Sequence, residues 1–337
     1  IGTPKLKGVS QKVEVYCITS HALPETDISK VSAKLEKESK LPKFALFGGL
    51  SILIAILFFV FISEEEEKVP SIAIIPFVNK GKSEDLFYSY GISSDILMQI
   101  RNIGSFKVKS SNDIEKLNIK DLTNQEISQA LSIKYLVNGS LWKKNNTFQI
   151  VFEVYDSESN DVILNHRFEK DSKDLSEISS IITNKILKEF NVQLNTSYYA
   201  SNSKAYEYFL KGRYKYDTWK TQRDIDEAII MLEKAIEIDA QMPSPHITLG
   251  WIYYSEKRDY NKAFKYYSEA NILSKKYNLN WESGWSTLYL GDIKSMRDKD
   301  TYAAISYWNE ALEIFNKINS DYGKLAVYGN LTSTYIY

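Results

Sequence analysis

The sequence predicts a multi-domain chain: a single transmembrane helix, then an α/β domain on a mixed sheet, then an all-α solenoid of helical repeats. Three observations predict this. Residues 44–62, FALFGGLSILIAILFFVFI, run for 19 positions without a charge. Between residues 69 and 195, short β-branched runs alternate with amphipathic helical patterns. From residue 203 onward, helical patterns recur with the same spacing of small residues.

The apolar run reaches about 28 Å as a helix, close to the hydrocarbon thickness of a bilayer. A buried soluble helix of this length would seldom be apolar on every side. A signal peptide does not fit, because about forty residues precede the run and no A-x-A-like site comes after it. Lys30, Lys34, Lys37, Lys40 and Lys43 lie just before the run, and Lys68 lies after it. This bias places the amino side in the cytoplasm and residues 63–337 on the periplasmic or exoplasmic side of a single-pass inner membrane protein. Glu64 to Glu67 form a solvated collar beyond the headgroups.

Composition narrows the function classes. The 337 residues carry a formal net charge of −1, so no global basic field invites nucleic acid. Cys17 is the single cysteine, which leaves no disulfide within the chain. Tyr (24) and Trp (6) are abundant, as suits helical repeats packed through aromatic rings. The chain opens at Ile1 rather than Met and its helical pattern runs on to Tyr337, so it is expected to be a piece of something longer.

Residues 1–20 contain a turn at Gly8 and a period-two run from Gln11 to Ile18, in which Val13, Val15 and Cys17 alternate with Glu14 and Tyr16. Twenty residues bury no core, so this strand needs partners from elsewhere. The wording LKGVSQKVEVYCI resembles the last strand of the catalytic domain of class III adenylate/guanylate cyclases. The resemblance implies that residues 1–20 are the carboxyl-terminal remnant of such a domain. Its metal-binding and catalytic residues, its ATP or GTP and its divalent metal would then lie upstream. No catalytic, cofactor-binding or metal-binding residue is assigned to this chain. A generic edge strand is the alternative. Residues 21–43, polar and rich in Lys and Glu, read as a juxtamembrane linker.

Residues 69–195 read as β-α-β-α-β-β-β-α, a mixed sheet with helices against it. Ser71 to Phe77 is a short apolar strand ended by Pro76. Asp85 to Ile103 places Leu86, Ile92, Ile96, Leu97 and Ile100 near one helical face, with Gly104 as C-cap. Phe106 to Lys109 alternates as a strand. Asp113 caps a brief helix, and Thr123 with Glu126 forms a capping box for another. Strands come next at Tyr135–Trp142, Thr147–Tyr155 and Val162–Phe168, joined by turns at 144–146 and 158–161. A helix from Leu175 to Phe190 closes the unit. The segments SIAIIPFVN, YSYGISSDILMQI and SIKYLVNGSLWKKNNTFQIVFEVYDSESNDVI resemble the amino-terminal domain of TolB and the related FlgO-like domain. In bacterial sensory proteins that domain often sits just outside a membrane span and precedes helical repeats.

Three local motifs here carry no chemistry. Gly81-Lys82-Ser83 lacks the earlier glycine of a phosphate-cradling loop, because Pro76 stands at that position. His166 has no partner at metal-ligand spacing. Asp156, Glu158 and Asp161 fall in a hairpin turn without the ordered spacing of a calcium loop.

Residues 203–337 contain an echo: Ala228-x3-Leu232-x2-Ala235, Ala263-x3-Tyr267-x2-Ala270 and Ala304-x3-Trp308-x2-Ala311. The spacings between corresponding alanines are 35 and 41 residues. Small residues at those offsets let two helices approach, while the large one fills the gap above. The pattern resembles tetratricopeptide repeats, three of them plus a partial fourth, with Tyr214 to Asp224 lengthening the first turn. Such solenoids commonly bind peptide segments on the concave face. By register, Tyr208, Phe209, Trp251, Tyr254, Trp285 and Tyr289 are the candidate peptide-binding residues. Lys215, Lys220 and Arg223 would suit an acidic partner or a plain solvated face.

Together the resemblances imply the sensory, protein-binding and membrane-anchoring portion of a signal-transducing class III nucleotide cyclase. Its partners would be the membrane, a protein or peptide at the repeats, and a second copy of itself through the cyclase domain, with no nucleic acid. Two alternatives stay open: the envelope sensor of a winged-helix regulator or protein kinase, and a non-enzymatic envelope scaffold.

Overall fold

The chain divides into two units, Ile1–Lys68 and Val69–Tyr337. The computed structural model describes Gln11, Glu14, Tyr16, residues 69–193 and residues 202–335. Glu14 and Tyr16 are exposed, outside any strand, and joined by a hydrogen bond from the phenol to the carboxylate. The rest of the expected strand, the linker 21–43 and the span 44–62 lie outside the described residues. Among the described residues, no helix is long and apolar enough to cross a membrane.

The second unit begins with a mixed sheet and continues as a helical region. The strands are β1 (Ser71–Ile74), β2 (Val78–Asn79), β3 (Lys107–Val108), β4 (Tyr135–Lys144), β5 (Thr147–Asp156) and β6 (Asp161–Asp171). Their order is β3-β1-β4-β5-β6, with β2 also on β4. The pairs β1–β3, β1–β4 and β2–β4 are parallel, and β4–β5 and β5–β6 are antiparallel hairpins. Asn145 and Asn160 take left-handed φ values of 53° and 57° in the two hairpin turns, a conformation asparagine tolerates.

The expected strand 71–77 is broken. It stops after Ile74 and resumes as β2, because Pro76 has no N–H to give β4. Ile75 N–H still reaches Val137 O at 2.8 Å, and Lys80 N–H reaches Leu141 O at 2.8 Å. Between them Phe77 N–H turns away to Ser93 Oγ at 2.8 Å.

The sheet is covered by α1 (Leu86–Ile103), α2 (Ser111–Glu115), α3 (Asn124–Leu131) and α4 (Ile178–Glu189). α1 ends as expected at Gly104, whose φ of 75° suits a residue without Cβ. The cap of α2 is Ser110, not Asp113: the Ser110 hydroxyl accepts the Asp113 N–H, so the aspartate is the third residue in from the cap. The Thr123–Glu126 capping box is present on α3. The closing helix starts at Ile178, preceded by a 3₁₀ turn over Ser172–Glu177 that is kinked at Asp174. Ile72 and Ile74 share one face of the sheet with Ile92, Ile96, Ile178 and Ile182. Ala73 and Ile75 face the other way, onto Ile114, Ile127 and Leu131. Covering both faces of the parallel part explains why β1 reads as a continuous apolar run.

The helical region contains α5 (Ser203–Asp217), α6 (Gln222–Ile238), α7 (Pro243–Ser255), α8 (Tyr260–Lys276), α9 (Asn280–Met296), α10 (Thr301–Lys317) and α11 (Asp321–Tyr335). The echoed alanines at 228, 235, 263, 270, 304 and 311 are fully buried. Each large residue between them sits against a glycine of the preceding helix. A Cβ built at Gly212, Gly250 or Gly291 would come 2.8 Å from Leu232, Tyr267 or Trp308 respectively. The first turn is not lengthened: α5 runs on to Asp217 and α6 begins at Gln222, so the extra residues extend a helix. Lys215 there bridges Asp224 and Glu227 at 3.4 and 2.7 Å, and Arg223 pairs with Glu227 at 2.8 Å.

One hydrophobic cluster runs without interruption from Ile72 on β1 through Ile92 and Ile96 on α1 to Tyr206, Leu210, Tyr267 and Ile293 in the helical region. The two parts of this unit therefore share a core.

Candidate functional site: a cavity between α1 and the helical region

The face of α1 turned away from the sheet carries Gly91, Ser94, Asp95, Met98 and Asn102, spaced three and four apart as one helical face requires. It is not turned to solvent. A Cβ at Gly91 would lie 2.5 Å from Leu210 Cδ2, so the glycine lets α5 lie close against α1. Tyr90 donates to Asp217 at 3.0 Å. At the other end Asn102 meets the start of α9, and Asn319 Nδ2 bonds Gly104 O at 2.9 Å. α1 is thus held by the helical region along its length.

Between these contacts lies a cavity of about 310 Å³. Gly91, Ser94, Asp95 and Met98 of α1 form one wall. Phe209, Leu210 and Arg213 of α5, Trp251 of α7 and Tyr267 of α8 form the next. Trp281, Glu282, Trp285 and Tyr289 of α9, with Tyr322 of α11, form a third, and Asp217 of α5 and Thr248 of α7 are among the other lining residues. The aromatic rings form a continuous series: Tyr267–Tyr289 centroids are 5.0 Å apart, Trp251–Tyr289 5.2 Å, Trp285–Tyr289 5.7 Å and Trp281–Trp285 5.6 Å.

Two carboxyl groups stand in this apolar setting, bonded to neutral donors. Asp95 Oδ2 accepts from Ser179 Oγ at 2.5 Å, Tyr206 OH at 2.7 Å and Gln99 Nε2 at 3.3 Å. Burial pushes its pKa up, and these three donors oppose that. Glu282 accepts from Asn102 Nδ2 at 2.8 Å. Burial pushes its pKa up to about 7; the Asn102 donor and Arg101 oppose this, and the charge of Asp95 adds to it. Arg213 is held by Asp217, Nε to Oδ2 at 2.7 Å. The Arg101 guanidinium lies 4.3 Å over the Trp281 ring and donates to Lys109 O at 3.2 Å. Tyr267 is fully buried and its hydroxyl has no hydrogen-bond partner, and Trp285 Nε1 is likewise unpartnered.

Of the six residues expected on the concave face, the structure brings four into this cavity: Phe209, Trp251, Trp285 and Tyr289. Tyr208 instead packs, half-buried, against the shared core. Tyr254 stands beside the cavity, its ring 5.4 Å from Tyr289 and its hydroxyl 3.5 Å from Met296 Sδ. Sequence reasoning missed Asp95, Asn102 and Glu282. The available signal was Gly91 in mid-helix with Asp95 four residues on, a small and acidic row opposite the apolar stripe. Among the described residues, no group of His, Cys, Asp and Glu is arranged to hold a metal ion.

No protein-family model matches the chain. A protein of Rhizobium meliloti (strain 1021) named "Putative adenylate cyclase 3" is 24% identical over 191 residues, which is 54% of this chain and 32% of that protein. The chain therefore spans about a third of the length of the curated relative it matches. Among solved structures it is similar to TolB from Acinetobacter baumannii, with TM-score 0.30 and 19% identity over 37% of this chain and 29% of that one. It is also similar to the N-terminal domain of stress-induced protein-1 from C. elegans, with TM-score 0.28 and 17% identity over 34% and 91% of the two chains. The lipoprotein GNA1162 from Neisseria meningitidis gives TM-score 0.28 and 13% identity over 35% and 96%.

Proposed function

We propose that this chain is the sensory and membrane-anchoring portion of a class III nucleotide cyclase. Residues 44–62 cross the inner membrane once, with the amino side in the cytoplasm and residues 63–337 outside. Cyclic-nucleotide synthesis belongs to an upstream domain that uses ATP or GTP with a divalent metal and works as a homodimer. The cyclase assignment is supported by the strand wording at residues 6–18 and by the name of the relative that shares 24% identity over 54% of the chain.

The observation that carries the sensory part is the cavity between α1 and the helical region. It is walled by both halves of the outer unit, so an occupant would bear on both at once. Such an occupant shifts the population of conformers only as far as it binds one arrangement better than another. A protein or peptide partner of the repeats would share the concave face with α1.

Deleting residues 69–337 from the complete protein tests the reading. Cyclic-nucleotide output should change; unchanged output would count against it. Proteolysis of intact spheroplasts tests the topology, since residues 63–337 should be cut before lysis.

A further inference from the structure

We propose that the cavity between α1 and the helical region binds a small organic ammonium ion, a compact amine with an apolar body. The inference deepens the sensory reading and rests on it only for the effect of binding on output.

The walls favour a cation on two independent grounds. Trp251, Trp281, Trp285 and Tyr289 line the cavity, and the negative face of an aromatic ring attracts an ammonium group. Asp95 and Glu282 add two carboxyl groups that are bonded by hydroxyl and amide donors rather than by a cation. The cations near them are already engaged: Arg213 is paired to Asp217, and Arg101 is stacked on Trp281 and bonded to a backbone carbonyl. An anionic ligand would meet both carboxyl groups, while these two guanidinium groups are committed elsewhere.

The Tyr267 hydroxyl and the Trp285 indole N–H are buried donors without an acceptor, an unusual state for buried polar atoms. The size of the cavity describes the rest of the ligand. The cavity, about 310 Å³, is at the small end of ligand pockets, which run from about 300 to 1,000 Å³. With α1 as one wall, it suits a compact molecule better than an extended peptide.

The test uses the full chain in a non-ionic detergent. Three ammonium probes (phenethylamine, tyramine and choline) are titrated against tryptophan fluorescence and the thermal midpoint. 2-Phenylethanol is the neutral control and phenylacetate the anionic one. At least one ammonium probe should bind saturably and about tenfold or more tightly than 2-phenylethanol, and phenylacetate should not bind. Glu282→Gln keeps an oxygen for the Asn102 amide and should weaken that binding about tenfold. Asp95→Asn should weaken it too, with unchanged circular dichroism as the folding control. The inference is overturned if no ammonium probe saturates, if the neutral control binds as well, or if both variants bind like the parent. Binding without any effect on cyclic-nucleotide output in the complete protein would instead sink the sensory reading alone. A deletion effect on output without ammonium binding would sink this inference alone.

Discussion

Asn102 and Glu282, 180 positions apart, are joined by a hydrogen bond of 2.8 Å from the amide nitrogen to the carboxyl oxygen. The same Asn102 side chain accepts the Trp281 backbone N–H at 2.7 Å through its oxygen. The residue at the N-cap of α9 is Leu279, which has no capping side chain. Asn102 therefore does for α9 what a local Ser, Thr or Asp does elsewhere, but from the other half of the unit.

Asn102→Ala should leave a helix N–H and a buried carboxyl group without their partner. Loss of a cap and a buried hydrogen bond together should lower the unfolding free energy by about 1–3 kcal/mol. Urea denaturation checks this. An unchanged midpoint would show that water replaces the side chain.

The approach of Gly91 to Leu210 makes a second prediction. Gly91→Ala brings a methyl group to 2.5 Å from a Leu210 methyl, so it should destabilise by about 1–2 kcal/mol despite alanine's better helix propensity. Leu210→Ala alone should cost about 2–5 kcal/mol. Because each change relieves the other, the double variant should be more stable than the sum of the two losses predicts. A double-mutant cycle by thermal denaturation measures the difference.

Glu282 predicts a pH dependence. Its pKa in the folded chain, about 7, lies above the 4.5 of an unperturbed glutamate. Between those values the native state holds a proton that the unfolded chain has lost, so stability falls as pH rises from about 4.5 to about 7. The whole penalty stands above pH 7, on the order of 3 kcal/mol if the shift is realised in full. Glu282→Gln should therefore gain stability at pH 8 and little at pH 4. Asp292, pushed up to about 6 by burial, acts in the same direction, so the comparison is made against the parent at each pH.

Tyr267→Phe removes a buried hydroxyl without a partner. Stability should stay level or rise by up to about 1 kcal/mol. A clear loss in calorimetry would reveal a hydrogen bond formed by that hydroxyl in solution.

The sequence is informative where one rule acts within a few turns. The apolar stripe of α1, the Thr123–Glu126 box and the alanine echo all arise from local spacing. Register groups Tyr208, Phe209, Trp251, Tyr254, Trp285 and Tyr289, of which Phe209, Trp251, Trp285 and Tyr289 line one cavity and Tyr208 and Tyr254 do not. What escapes local reasoning is the second face of α1. Gly91, Asp95 and Asn102 are small or polar, and period-3.6 reasoning assigns such a row to water. Their neighbours Leu210, Tyr206 and Glu282 lie more than about a hundred positions away in the chain, beyond the reach of any local pattern. Pro76 marks an interruption, but nothing local says that the strand resumes as β2. Ser110 is easily passed over because Asp113 fits the same short helix, and only the geometry separates cap from first turn.

The contact of Asn319 with Gly104 closes a loop in the architecture. The helical region meets α1 at Leu210, at the start of α9 and again after α10, so it is fastened to that helix at three places. Movement of the helical region away from α1 is resisted while these fastenings stay shut. Any widening of the cavity must begin by unlatching one of them, and the hinge of this unit is then to be sought along the seam between α1 and the helical region.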